Sequence, residues 1–122
     1  MTLDELIKQY EWPWETSIDL IRKDIDCYTI YAFSIKYYEE TGEVETRYLQ
    51  IKGKFKIVEK EVADEKDMFV SLANINKHDD GSYELWGTGD SFRFYVESDL
   101  EVTILEEEEY NNHTFSKVKA NS

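Results

Sequence analysis

Residues 27–57, CYTIYAFSIKYYEETGEVETRYLQIKGKFKI, decide the class of this chain. Tyr31, Phe33, Ile35 and Tyr37 alternate with Ala32, Ser34 and Lys36. Successive side chains of a strand point to opposite faces, so this period of two reads as β-structure. Glu40-Thr41-Gly42-Glu43 is a hairpin turn, and the return strand is clearer still. Leu49, Ile51, Phe55 and Ile57 face one way, while Gln50, Lys52, Lys54, Lys56 and Lys60 tend to the other. Gly53 falls among the inward positions, where a bulge or bend fits.

Upstream of this hairpin the spacing is helical. Thr2 with Glu5 three residues on makes a capping box, followed by Leu3, Leu6, Ile7 and Tyr10. Trp12-Pro13-Trp14 breaks that helix, and its two indoles can plug the space between helices and sheet. Thr16 or Ser17 can cap a second helix with Ile18, Leu20, Ile21 and Ile25 on its apolar side. Downstream, Ala63-Asp64-Glu65-Lys66-Asp67 reads as a polar connection. Met68 through Ile75 reads as a central strand covered on both faces. His78-Asp79-Asp80-Gly81-Ser82 and Gly87-Thr88-Gly89-Asp90 read as turns, Tyr83–Trp86 as a short strand, and two alternating runs follow over 92–96 and 100–104. The expected fold is α+β: two short N-terminal helices packed on a curved antiparallel sheet of five to six strands, with a half-barrel as one form of that curvature. Residues 1–110 make one domain, and 111–122 a polar, frayed tail.

Charge is the unusual bulk property: the 122 residues carry a formal net −13. It is uneven, with four bases and one acid over residues 51–60 but fifteen acids and five bases over 61–122. Such a field repels nucleic acid and anionic membranes and favours basic partners. No apolar run approaches the ~20 residues of a membrane span, and the acidic start lacks the features of a signal peptide, which points to the cytosol.

Within that charge one pattern stands out. Glu97, Asp99 and Glu101 alternate with Leu100, Val102 and Ile104, which makes a row of carboxylates at roughly 6.6–6.8 Å intervals, and Glu106, Glu107, Glu108 and Glu109 extend it. Phosphates along nucleic acid recur on a similar length scale, ~3.4 Å of rise per strand residue. A solvated strand face gives the same row, and if Lys52, Lys54 and Lys56 run alongside, the two rows pair as ordinary cross-strand charges.

Catalytic sets are missing from the pattern. The lone Cys27 excludes an internal disulfide, and no neighbouring base activates it. His78 with Asp79 and Asp80 suits a turn better than a metal site. Gly87–Ser91 lacks the lysine and helix of a phosphate loop, and Asn112-His113-Thr114 matches a glycosylation triplet of no use in the cytosol. No cofactor or metal is implied. The leading expectation is a non-enzymatic binding protein, an inhibitor of a basic nucleic-acid-handling protein in the manner of a nuclease immunity protein, antitoxin or DNA mimic. Its partner-facing residues would be Glu97, Asp99, Glu101 and Glu106–Glu109. Two other readings stand beside it: a small-molecule binder whose pocket is lined by Tyr28, Tyr31, Tyr37, Tyr48, Tyr83 and Tyr95, and a homodimer formed through an edge strand.

Overall fold

The structure is a computed structural model that describes residues 1–12, 14–23, 25, 27–58, 65–87, 93–96 and 100–120. In chain order its elements are α1 (Leu3–Tyr10), β1 (Glu15–Lys23), β2 (Tyr28–Tyr38), β3 (Glu43–Gly53), β4 (Phe55–Val58), β5 (Glu65–Lys77), β6 (Tyr83–Gly87), β7 (Arg93–Val96), β8 (Glu101–Leu105) and α2 (Glu107–Ala120). The α+β class and the antiparallel sheet follow the sequence. The number and kind of elements do not. Among the described residues the sheet has eight strands in the order β4-β7-β6-β5-β1-β2-β3-β8, where five or six were expected, and one helix precedes it where two were expected. The second expected helix is strand β1. Residues 111–120, read as tail, belong to α2.

Two registers show how the sheet closes. Lys52 of β3 stands opposite Glu101 of β8, and Phe55 of β4 stands opposite Val96 of β7. The chain from β3 into β4 thus changes partner at Lys54, from β8 at one end of the strand order to β7 at the other. Only Lys54 separates β3 from β4, a reach of at most ~7 Å. Their places in the strand order are six spacings apart, which in a flat sheet is ~29 Å. The sheet therefore curls until its ends meet. Gly53 sits at the bend, as its place in the sequence suggested, and Leu100 is packed directly on it.

Curling separates an inner face from an outer one. Inward go Ile18 and Ile21 of β1, Ile30 and Ala32 of β2, Leu49 and Ile51 of β3, Leu85 of β6 and Val102 of β8. Helix α1 adds Leu3 and Leu6, both fully buried, each contributing about 1.5–3 kcal/mol by leaving water. The capping box of Thr2 and Glu5 starts this helix, and Glu11 ends it in the left-handed region at φ 54°. Trp12 then enters the core, as expected of a plug. Its Nε1–H donates to Ser34 Oγ at 2.9 Å, and Ser34 lies 2.8 Å from Thr16 Oγ1, which donates to the Trp14 carbonyl at 3.1 Å. Since the Thr16 proton is committed to that carbonyl, Ser34 must donate to Thr16, and both hydroxyls of this network are satisfied. On the outer side, the Met1 amine donates to the Val102 carbonyl at 2.9 Å and the Val102 amide to the Met1 carbonyl at 2.7 Å, covering part of the free edge of β8.

Candidate functional site

Helix α2 lies across the outer face of β1, β2, β3 and β8, where Leu20, Tyr31 and Leu105 bury Tyr110. The anchor is polar as well as apolar. Asp19 is the extra residue of a bulge between Ile18 and Leu20, and its Oδ2 accepts the Tyr110 hydroxyl at 2.7 Å. Tyr48 packs against Tyr110 with ring centroids 4.9 Å apart. His113 stacks on Tyr31 at 5.0 Å, and Gln50 Nε2 donates to the Tyr31 hydroxyl at 3.1 Å. The contacts of Tyr110 and His113 need α2 in place, while the Gln50–Tyr31 bond lies within the sheet beneath it.

Burial, then the Asp19 carboxylate, pushes the Tyr110 phenol far above its ordinary range, and burial with Glu107 raises Tyr48 in the same direction. Both hold their protons more tightly folded than unfolded. Ionisation of the unfolded chain as pH passes about 10 therefore draws it away from the fold: the stabilisation is complete below that pH and is lost above it. Tyr110→Phe should lower stability by about 1–2 kcal/mol at neutral pH and flatten the decline of melting temperature above about pH 10. Equal declines in variant and parent would show that α2 does not titrate through this phenol.

The acidic residues singled out by the sequence are only partly placed. Glu97 and Asp99 lie outside the described residues. Glu101 opens β8, exposed, directly opposite the exposed Lys52, so at this rung the lysine row and the acidic row are neighbours. Glu106 to Glu109 are all exposed, and three of them form the first turn of α2, where carboxylates favour the positive helix end by about 0.3–1 kcal/mol each. These charges thus have a structural use in addition to any other.

A second surface was not foreseen. Strands β2 and β3 pair along their whole length, from Tyr28 opposite Gly53 to Tyr38 opposite Glu43. β1 reaches only to Glu15, opposite Ile35, and β8 only to Leu105, opposite Tyr48. Residues 36–47 therefore project as an arm. Its inner side is tied down: Lys36 donates to Glu11 at 2.7 Å, Tyr38 to Glu45 at 2.6 Å, and Arg47 pairs with Glu45 while lying 4.0 Å from the centre of the Tyr10 ring. Its outer side carries Tyr37 opposite Val44, 57% and 54% exposed. Glu39, Glu40 and Glu43 surround the turn, and an open hollow of about 460 Å³ borders residues 36–41. The sequence marks only the exposed aromatic tip, Tyr37-Tyr38-Glu39-Glu40, where the alternation stops while aromatic residues continue, and not the arm itself.

The six tyrosines proposed to share a pocket do not converge: Tyr83 is in the core, Tyr31 and Tyr48 are under α2, Tyr28 packs at the core margin, Tyr95 lies by His78, and Tyr37 is on the arm. His78 approaches Glu84 at 3.3 Å, and Arg93 approaches the same buried carboxylate at 3.4 Å, an arrangement that neutralises it. Cys27 is half-buried. Among the described residues no group of three or more metal-ligating side chains occurs, and no helix is long and apolar enough to cross a membrane. No family model matches the chain, and no curated protein or solved structure does either.

Proposed function

We propose that the protein is a small cytosolic binding protein that occludes the basic surface of a nucleic-acid-handling protein, as an inhibitor of the nuclease-immunity or DNA-mimic type. The observation that carries this reading is the grouping of exposed carboxylates on a chain of net −13. Glu106, Glu108 and Glu109 leave the sheet beside Tyr48, and Glu43 lies five residues away along β3, about 17 Å. Glu39 and Glu40 continue the same negative end. Complementary charge of this kind speeds association, up to about 10⁸–10⁹ M⁻¹s⁻¹ at low salt, and makes it salt-sensitive. Immobilised protein should retain a basic protein from its host's lysate at low salt and release it as salt is raised, and should not itself bind DNA. Retention of no basic protein at either salt removes the basis of this reading.

A further inference from the structure

The arm formed by residues 36–47 combines three features that converge on one kind of ligand. The first is apolar: Tyr37 and Val44 stand opposite each other on the outer face, both more than half exposed. The second is an open edge. β8 stops opposite Tyr48, so among the described residues no strand pairs with that side of residues 43–47 of β3, and their backbone groups on that side can accept an added strand. The third is charge. Both cations of the arm are taken up within the fold, Lys36 by Glu11 and Arg47 by Glu45. Glu39, Glu40 and Glu43 are exposed and form no ion pair among the described residues. A strand laid on this edge continues the line of β8 and runs beside Glu106, at the start of α2.

Resting on the function proposed above, we infer that the arm is the docking element, and that it takes an extended, basic segment of the partner protein whose alternate side chains are apolar. The apolar positions cover Tyr37 and Val44, and the basic ones meet Glu39, Glu40 and Glu43. A second copy of this chain is the poorer occupant, because it brings the same three carboxylates against themselves, and like charges brought together oppose association.

The experiment is an amide-shift titration of isotope-labelled protein with a short capped peptide of alternating arginine and valine, beside one of alternating glutamate and valine. The arginine peptide should shift residues 35–47 saturably, and the glutamate peptide should not. Tyr37→Ser with Val44→Thr removes the apolar pair and should weaken the arginine peptide at least ~10-fold with little change in melting temperature. Should that variant unfold, Glu39→Gln with Glu40→Gln and Glu43→Gln, all exposed, should weaken it comparably. Shifts confined to Glu101 and Glu106–Glu109 would overturn the arm as docking element while leaving a basic partner standing. Equal binding of the glutamate peptide would overturn the charge argument. No shift with either peptide counts against both proposals, and arm shifts that depend on protein concentration alone would assign the edge to a second copy instead.

Discussion

Trp12→Ala is expected to destabilise the fold by about 3–5 kcal/mol, enough to leave a small domain only partly folded at room temperature. The indole is 4% exposed, set between α1 and the inner face of the sheet, and its removal opens a cavity that rigid strands cannot close. Its hydrogen-bond chain separates ring from donor. Trp12→Phe keeps most of the packing and leaves Ser34 without its incoming donor, whereas Ser34→Ala keeps the ring and strands the buried Nε1–H, at about 1–3 kcal/mol. Urea denaturation read at constant slope gives all three values. A loss below ~1 kcal/mol for the alanine variant would mean that the indole is not the plug between helix and sheet.

Gly53→Val should cost about 2–3 kcal/mol, for a reason of space. Among the described residues, Gly42 and Gly81 are the glycines at positive φ, 72° and 89°, and Gly53 is not one of them. What Gly53 lacks is room: a Cβ there collides with Cδ2 of Leu100, which is itself 1% exposed and has nowhere to swing. Leu100→Ala alone should also destabilise, by about 2–5 kcal/mol, since it empties part of the core. Combined, the two should lose distinctly less than their sum, because valine fills the space the leucine leaves. Strict additivity would show that the bend at residues 53–55 does not depend on this contact. Gly42→Ala is the control: nothing surrounds that position, so only backbone strain of about 1–2 kcal/mol is expected.

The hairpin of β2 and β3 was legible because alternation runs through both strands and a turn with Gly42 at positive φ joins them. The return strand, read as running on to Ile57, breaks at Lys54 into β3 and β4, and β4 pairs with β7. β1 was not legible, and the bulge explains why. Ile18 stands opposite Ala32 and Leu20 opposite Tyr31, so Asp19 is an extra residue that shifts the phase. Ile18 and Ile21 consequently both face the core while Leu20 faces out. An i, i+3 step from one inward isoleucine to the next is helical spacing produced by a strand. Helix α2 was hidden for the opposite reason. Its short apolar side, Tyr110 with Thr114 four residues on, buries against the sheet, and the run of acids before it looked like solvated tail. Of the proposed acidic site, the exposure of Glu101 and Glu106–Glu109 could be read from alternation and composition. The projecting arm could not, because it exists only through the early ends of β1 and β8, which are facts of strand length in three dimensions.

The pairing of β3 with β8 and of β4 with β7 also dictates when folding can finish. β3 is made by residue 53, but its second neighbour, β8, ends only at residue 105, and the backbone that lines the far edge of β8 is Met1, 101 positions earlier. β1 likewise waits for β5 and β4 for β7. Chains dominated by such distant pairings lose much loop entropy before any contact rewards it, and they fold in milliseconds to seconds rather than microseconds. On a ribosome adding about 5–20 residues per second, the edge of β3 then stays open for seconds, with Leu49 and Ile51 beside it. The dense acidity of the nascent chain acts in that interval as mutual repulsion between unfinished copies, guarding a sheet that its last strand has yet to close.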